Sequence, residues 1–197
     1  MSEIKSALEL ALERTADVKS DKSSLEAHEA RQSGQRLAGR FLDDSSINVA
    51  AEIRGLDRDK RDATREGFLH VMLSHLALPG QESDLQRLRL VQKGIAGVVR
   101  DANLVDSLMD QVIQYLEQYL DTKNQLTERL REQFEPRIRQ REQQIAQQTG
   151  RHVRLDPAND PEFAKALNQN MQRLQAQYAQ VIDQAKAQIE QIIAEKR

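Results

Sequence analysis

The sequence contains no cysteine among its 197 residues. This absence excludes disulfides, thiolate zinc sites and cysteine nucleophiles. Apolar residues make up only 39% of the chain and aromatic residues only 4%. An ordinary globular domain is about 45–50% apolar, so this chain has too little apolar material for a thick spherical core.

The low net charge and the lack of long apolar runs argue against a disordered chain and against a membrane-spanning protein. The net charge is only −2 although 30% of the residues are charged, and disorder favours a high net charge together with low hydrophobicity. No stretch approaches the roughly 18 consecutive apolar residues of a membrane span. The first apolar run contains acidic residues, unlike a signal peptide. We therefore expect a folded cytoplasmic protein made of elongated helices, with no membrane association.

What is present instead is helical periodicity, with apolar residues three and four apart through the first half. Ser23–Glu26 has the serine-to-glutamate spacing of a capping box. We predict one helix that ends near Ser20, a second that begins at this box, and a short third helix that ends near Arg54. Two longer helices are predicted over Arg58–Leu78 and Leu85–Arg100, with a strand at 95–99 as the alternative for the end of the last one.

Two sets of residues in this half are assigned to packing. The paired glycines do not match a phosphate-binding loop, which needs a following Lys-Ser or Lys-Thr. We interpret them as close helix contacts; they are Gly34, Gly39, Gly94 and Gly97. The expected core residues are Leu8, Leu37, Phe41, Phe68, Met72, Leu88 and Val112.

The second half has a longer and more regular pattern. From Leu104 the apolar residues lie three, four or seven apart, and the pattern resumes at Phe163 after a short break. A repeat near 3.5 residues is typical of a coiled coil, and so short a connection favours antiparallel pairing. Placing Ile145 opposite Phe163 makes the numbers of facing residues sum to about 308. Phe134 then faces Leu174.

The break between the two runs contains turn chemistry. Gly150 is suited to end a helix in the left-handed conformation, and Asp160 followed by Pro161 is a strong helix start. We interpret the break mainly as a turn onto which Val153 and the next apolar residue fold back, and a recognition tip remains the alternative. Pro136 predicts either a kinked continuous helix or a true break in the first run.

Basic side chains gather near this turn. The candidate residues for binding a partner or an anion are Arg137, Arg139, Arg141, Arg151, His152 and Arg154. Arginine suits phosphate recognition, but a nucleic-acid footprint usually needs a basic domain and stacking aromatics. The pI is near 6.1 and no aromatic residue lies between Phe134 and Phe163.

Catalytic and metal chemistry have little support. A di-metal helical bundle needs Glu-x-x-His motifs, and the sequence has none. Glu66 and His70, with His75 nearby, form only a weak metal-binding trio. No serine lies in the context of a nucleophile elbow. We therefore predict no catalytic residues, no metal site and no cofactor, and we do not expect an enzyme.

These observations predict an all-α fold. A helical bundle body is expected over 1–112, and a long protruding antiparallel coiled-coil arm over 113–197 with its tip at 150–160. The expected function is non-catalytic: protein–protein interaction, scaffolding or assembly through the helical hairpin, with a protein partner or a homodimer. The alternative is a nucleic-acid- or ribosome-associated factor that uses the arginines near the tip.

Overall fold

The structure is a computed structural model that describes the backbone of residues 7–195 and the side chains of residues 23–194. It confirms the all-α class: these residues form α-helices and one 3₁₀ turn, and within them there is no strand. The strand alternative at 95–99 was therefore wrong. The elements in order are α1 (Ala7–Asp43), α2 (Val49–Gly55), α3 (Arg58–Ser74), α4 (Glu82–Ala96), α5 (Ala102–Thr149), the 3₁₀ turn (Pro157–Asn159) and α6 (Pro161–Glu195).

Helix α1 is a single helix of 37 residues, so the prediction of two helices divided near Ser20 was wrong. No glycine or proline occurs between Ala7 and Ser33, and without such a residue nothing forces the chain out of the helix. The capping-box spacing at Ser23–Glu26 stabilises an N-terminus only where the preceding residues are not helical. The predicted core residue Leu8 lies outside the described side chains.

The chain forms two compact units, each built from two pieces of sequence. The first unit comprises the chain up to Leu76 together with Leu90–Asp106. The second comprises Ala77–Arg89 and the chain from Ser107 onward. The predicted boundary near residue 112 remains a prediction.

In the first unit, α1 crosses α3 through a pair of glycines. A Cβ atom on Gly34 would lie 1.9 Å from the carbonyl oxygen of Thr64. A Cβ atom on Gly67 would lie 2.0 Å from the carbonyl oxygen of Arg31. The two helices therefore touch backbone to backbone, and a single methyl group at either glycine would force them apart.

The other glycines behave differently from one another. A Cβ on Gly94 would lie 2.9 Å from side-chain atoms of both Phe41 and Met72, so the predicted close contact is confirmed there as it is at Gly34. Gly39 has open space around it, so the same interpretation was wrong for that residue. Gly97 meets only the preceding helical turn, with the Lys93 carbonyl oxygen at 3.3 Å.

The predicted core is confirmed for every member whose side chain is described. Apolar periodicity identifies these positions because a helix buries one stripe of side chains and leaves the rest in water. The buried residues are Leu37, Phe41, Phe68, Met72, Leu88 and Val112.

In the second unit, α5 and α6 run in opposite directions. The rings of Tyr119 and Tyr178 have centroids 5.1 Å apart, and those of Phe134 and Phe163 are 5.6 Å apart. From the first pair to the second, the residue number increases in α5 and decreases in α6, so the two helices are antiparallel. Knobs-into-holes coiled-coil packing of this pair remains a prediction.

The predicted register of this pair was wrong. Facing residues have numbers that sum to about 297, so Phe163 lies opposite Phe134 and not opposite Ile145. The error of about 11 residues equals about three helical turns. An apolar seam looks almost the same after such a shift, because apolar residues again face apolar residues. The seam alone could not fix the register.

Helix α5 continues without interruption through Pro136. The alternative of a true break at this proline was therefore wrong. Proline lacks an N–H group, so the carbonyl of Glu132 loses its helical donor. In the observed register Pro136 lies opposite Pro161, the first residue of α6.

Candidate interaction site at the turn between α5 and α6

The turn region, residues 137–162, begins with the final turns of α5. Gly150 ends this helix with a φ of 70°, and its N–H donates to the Ala146 carbonyl oxygen at 2.9 Å. The predicted left-handed cap is confirmed. Residues 151–156, named the strap here, have no regular secondary structure. Asp156 then begins the 3₁₀ turn by accepting a hydrogen bond from the Ala158 N–H at 2.9 Å.

The strap returns along the end of α5. The N–H of Leu155 donates to Oε1 of Glu142 at 2.7 Å, across 13 residues of sequence. Leu155 is half-buried, which confirms that it folds back, but Val153 remains 43% exposed and the same prediction was wrong for it. Because the strap returns along the final turns of α5, α6 begins near Phe134 and not near Ile145, which accounts for the observed register.

Asp160 joins α5 to the start of α6. Its Oδ1 accepts hydrogen bonds from the N–H groups of Glu162 at 2.9 Å and Phe163 at 3.2 Å, so the predicted N-cap is confirmed. Its Oδ2 accepts a hydrogen bond from Arg141 at 2.8 Å, and Nε of Arg137 lies 3.9 Å away. The side chain is only 4% exposed. A buried carboxylate needs such partners, and here both oxygens have them.

These contacts favour the ionised forms of the groups. The Phe163 N–H, with the Glu162 N–H and the two arginines, lowers the pKa of Asp160 although burial opposes the change. The hydrogen bond from Arg137 lowers the pKa of Glu162, and the same contact raises the pKa of Arg137. The cluster therefore stays charged near neutral pH and acts as a structural tie.

Three of the six predicted site residues are used inside the molecule. Arg137 pairs with Glu162 and lies near Asp160, and Arg141 pairs with Asp160. Arg139 pairs with Glu135 at 2.5 Å, one turn away on the same helix. These contacts hold the turn region together or stay on one helix face.

The other three predicted residues lie on the strap and are exposed: Arg151, His152 and Arg154. No side-chain hydrogen bond or ion pair of theirs occurs with any residue that the structure describes. His152 and Arg154 share a surface groove with Arg139 of α5. The six basic residues thus fall into two groups: three on α5 that pair with carboxylates of the chain, and three on the strap that are exposed to solvent.

Sequence reasoning missed the helix wall of this groove. Gln143, Ala146 and Gln147 line it opposite the strap, and Glu142 anchors the strap from the same side. The alternation of polar and apolar residues from Arg151 to Leu155 indicated an extended segment. No local signal showed that Glu142 would bind its backbone.

The described residues offer no metal centre. Among them, no group of three or more histidine, aspartate or glutamate side chains is placed to hold a metal ion. Glu66, part of the weak trio considered above, lies 3.3 Å from Arg31. The helices within the described part of the chain include none long and apolar enough to cross a bilayer.

Comparison with known protein families places most of the chain in a family. No curated protein and no solved structure matches the chain. A family model described as "Family of unknown function (DUF6657)" matches residues 50–191. The match begins in α2, includes the whole turn region and ends in α6. Since it covers more than half of the sequence, the chain belongs to this family of unknown function.

Proposed function

We propose that the chain is a non-catalytic interaction protein that binds another protein through the strap. The observation that carries this proposal is the set of exposed side chains of Arg151, His152 and Arg154, which pair with no described residue, beside the partly exposed Val153. Arginine is enriched at protein interfaces, and loops held by a rigid scaffold often carry binding residues.

The internal structure of the turn supports this assignment. Gly150 ends α5, Asp156 begins the 3₁₀ turn and Asp160 begins α6. Glu142 fixes the strap against α5. The tasks that a turn requires are thus met by other residues, so the exposed strap side chains are available to a partner.

Site-specific photo-crosslinking tests the proposal. A photoreactive amino acid replaces Val153, and in the matched control it replaces Gln172, an exposed residue of α6. Irradiation in the native host is followed by gel analysis and mass spectrometry. We expect one discrete protein adduct from position 153 and none from position 172. Identical adduct patterns from the two positions, or no protein adduct at 153, would contradict the proposal.

Nucleic-acid association is the second candidate, and the unpaired Arg151 and Arg154 are the observation in its favour. Two phosphate contacts would give a slope of roughly −2 for log affinity against log salt concentration. The internal pairing of Arg137 and Arg141 leaves few cations for a larger footprint. Anisotropy of a labelled RNA or DNA duplex at several salt concentrations distinguishes this candidate, because the protein-binding proposal expects no measurable duplex binding at physiological salt.

The same proposal includes coiled-coil packing of α5 on α6, a homodimer and a cytoplasmic location. The apolar fraction of 39% is the observation behind the dimer, since a thin core leaves apolar surface to be buried between chains. Analytical ultracentrifugation measures the mass directly. A monomer at every accessible concentration would remove the dimer and leave strap binding to be tested separately.

A further inference from the structure

We propose that the partner presents an acidic, extended segment, which lies alongside strap residues 151–154 and directs carboxylates to Arg151 and Arg154. This inference rests on the proposed function and specifies the chemistry of its partner. It joins two features of the strap: open backbone groups and unpaired cations.

The backbone of the strap has room for such a segment. The Leu155 N–H donates to Glu142, and the Arg151 N–H donates to Oγ1 of Thr149 at 3.3 Å. The three N–H groups between them, at 152–154, make no hydrogen bond with any described part of the chain. N–H groups without an internal partner can donate to the carbonyl groups of an extended peptide, as they do at an exposed sheet edge.

The charges around the strap select an acidic occupant. Two carboxylates at the strap accept internal hydrogen bonds, Glu142 from Leu155 and Asp156 from Ala158. Asp160 is likewise engaged. The guanidinium groups of the strap have no such partner among the described residues and are exposed, so they are available to carboxylates of another molecule. Arginine binds carboxylates through two parallel hydrogen bonds, which adds geometric specificity to the attraction.

The groove beside the strap suits uncharged side chains between the acidic ones. Its helix wall includes Gln143 and Gln147, whose amides both donate and accept hydrogen bonds, and the small Ala146. Val153 adds an exposed apolar surface on the strap side. An extended segment with carboxylates opposite Arg151 and Arg154 and small uncharged side chains opposite Ala146 and Val153 therefore fits this surface.

Selection from a displayed library of random dodecapeptides on the full-length chain tests the inference. The matched variants are R151E/R154E on the strap and R129E/R173E, which makes the same charge change at exposed positions of α5 and α6. We expect the wild-type chain to enrich peptides rich in aspartate and glutamate. The strap variant should lose affinity for those peptides by roughly tenfold or more, because two charge-assisted contacts are reversed. The α5/α6 variant should retain it.

A modified peptide tests the main-chain contribution to binding, and a folding control accompanies the charge-reversal variant. Replacement of alternate peptide bonds of a selected peptide by alkene isosteres removes the main-chain carbonyl acceptors that the strap N–H groups would use, and it should also weaken binding. Circular dichroism confirms that R151E/R154E remains folded, and R151Q/R154Q replaces it if helicity falls.

The inference is overturned if no peptide is enriched, if enriched peptides are not acidic, or if R151E/R154E binds them as the wild type does. Full affinity of the alkene-containing peptide would overturn the main-chain pairing. A protein adduct from position 153 that survives R151E/R154E would retain the proposed function and reject the acidic segment. Absence of any such adduct would reject the proposed function itself.

Discussion

The α1–α3 crossing and the turn region hold their parts together by opposite means. At the crossing, Gly34 and Gly67 let two helix backbones touch with no side chain between them. In the turn region, the carboxylate of Glu142 holds the extended strap, and that of Asp160 holds the start of α6 against α5. The first contact requires that neither glycine carries a Cβ atom, and it does not depend on the charge of any side chain. The second depends on ionised side chains and leaves the adjoining backbone open to other molecules.

The largest expected effect is at the crossing. Gly34→Ala places a methyl carbon 1.9 Å from the Thr64 carbonyl oxygen, so the helices must separate. We expect a loss of about 3 kcal/mol or more in the free energy of unfolding, measured by urea denaturation. Gly39→Ala in the same helix is the matched control because that site is exposed and open. It should stabilise the chain by up to about 1 kcal/mol. Equal effects of the two changes would disprove the close crossing.

A smaller loss is expected at Asp160. Asp160→Ala removes the N-cap of α6 and leaves Arg141 without its carboxylate. We expect a lower urea midpoint, with a smaller change than for Gly34→Ala. Asp160→Asn keeps a capping oxygen but removes the charge, so its midpoint should lie between those of the wild type and the alanine variant. A wild-type midpoint for Asp160→Ala would show that the tie does not stabilise the fold.

The pH dependence should distinguish the two regions. Contacts in the folded chain depress the pKa values of Asp160 and Glu162 below the unfolded values of about 3.9 and 4.3. Such carboxyls stabilise the fold above their unfolded pKa, and this contribution is lost as pH falls through their folded pKa. The arginines remain protonated throughout this range.

The corresponding measurement compares the wild type with D160N/E162Q by urea denaturation from about pH 7 to about pH 3. The stability difference between them should be constant near neutrality and should shrink below about pH 4. The difference between wild type and Gly34→Ala should not follow this curve. If both differences change alike with pH, the contrast between the two regions fails.

The smallest effect is expected for the exposed strap cations. R151E/R154E changes side chains that make no hydrogen bond or ion pair with the described residues, so its free energy of unfolding in urea should stay within about 0.5 kcal/mol of the wild type. A large loss of stability would mean that these arginines serve the fold, and the case for a free binding surface would weaken.

Local signals in the sequence were sufficient for several features. The cap at Gly150 and the helix start at Asp160 depend on residues close in sequence, and both were predicted. The apolar periodicity identified core residues such as Phe68 and Met72. Backbone geometry and side-chain burial at these positions follow from short-range patterns.

Features that depend on distant residues could not be predicted in the same way. The register of α5 and α6 requires the path of the strap, and that path requires the bond between Glu142 and the Leu155 backbone. Of the six basic candidates, Arg137 and Arg141 became structural because Asp160 lies beside them in space. The sequence showed the clustering of the cations but not which of them would be paired.

The most direct test of the account measures where α6 lies along α5. Because the chain has no native cysteine, spin labels can be attached to introduced cysteine pairs at exposed positions: Glu132 with Lys165, and Glu132 with Ala176. Pulsed electron resonance should give the shorter distance for the first pair, since the second label is displaced by about 16 Å along the helix. A shorter distance for the second pair would place α6 three turns further along α5, exclude a strap that returns along the helix, and contradict the account.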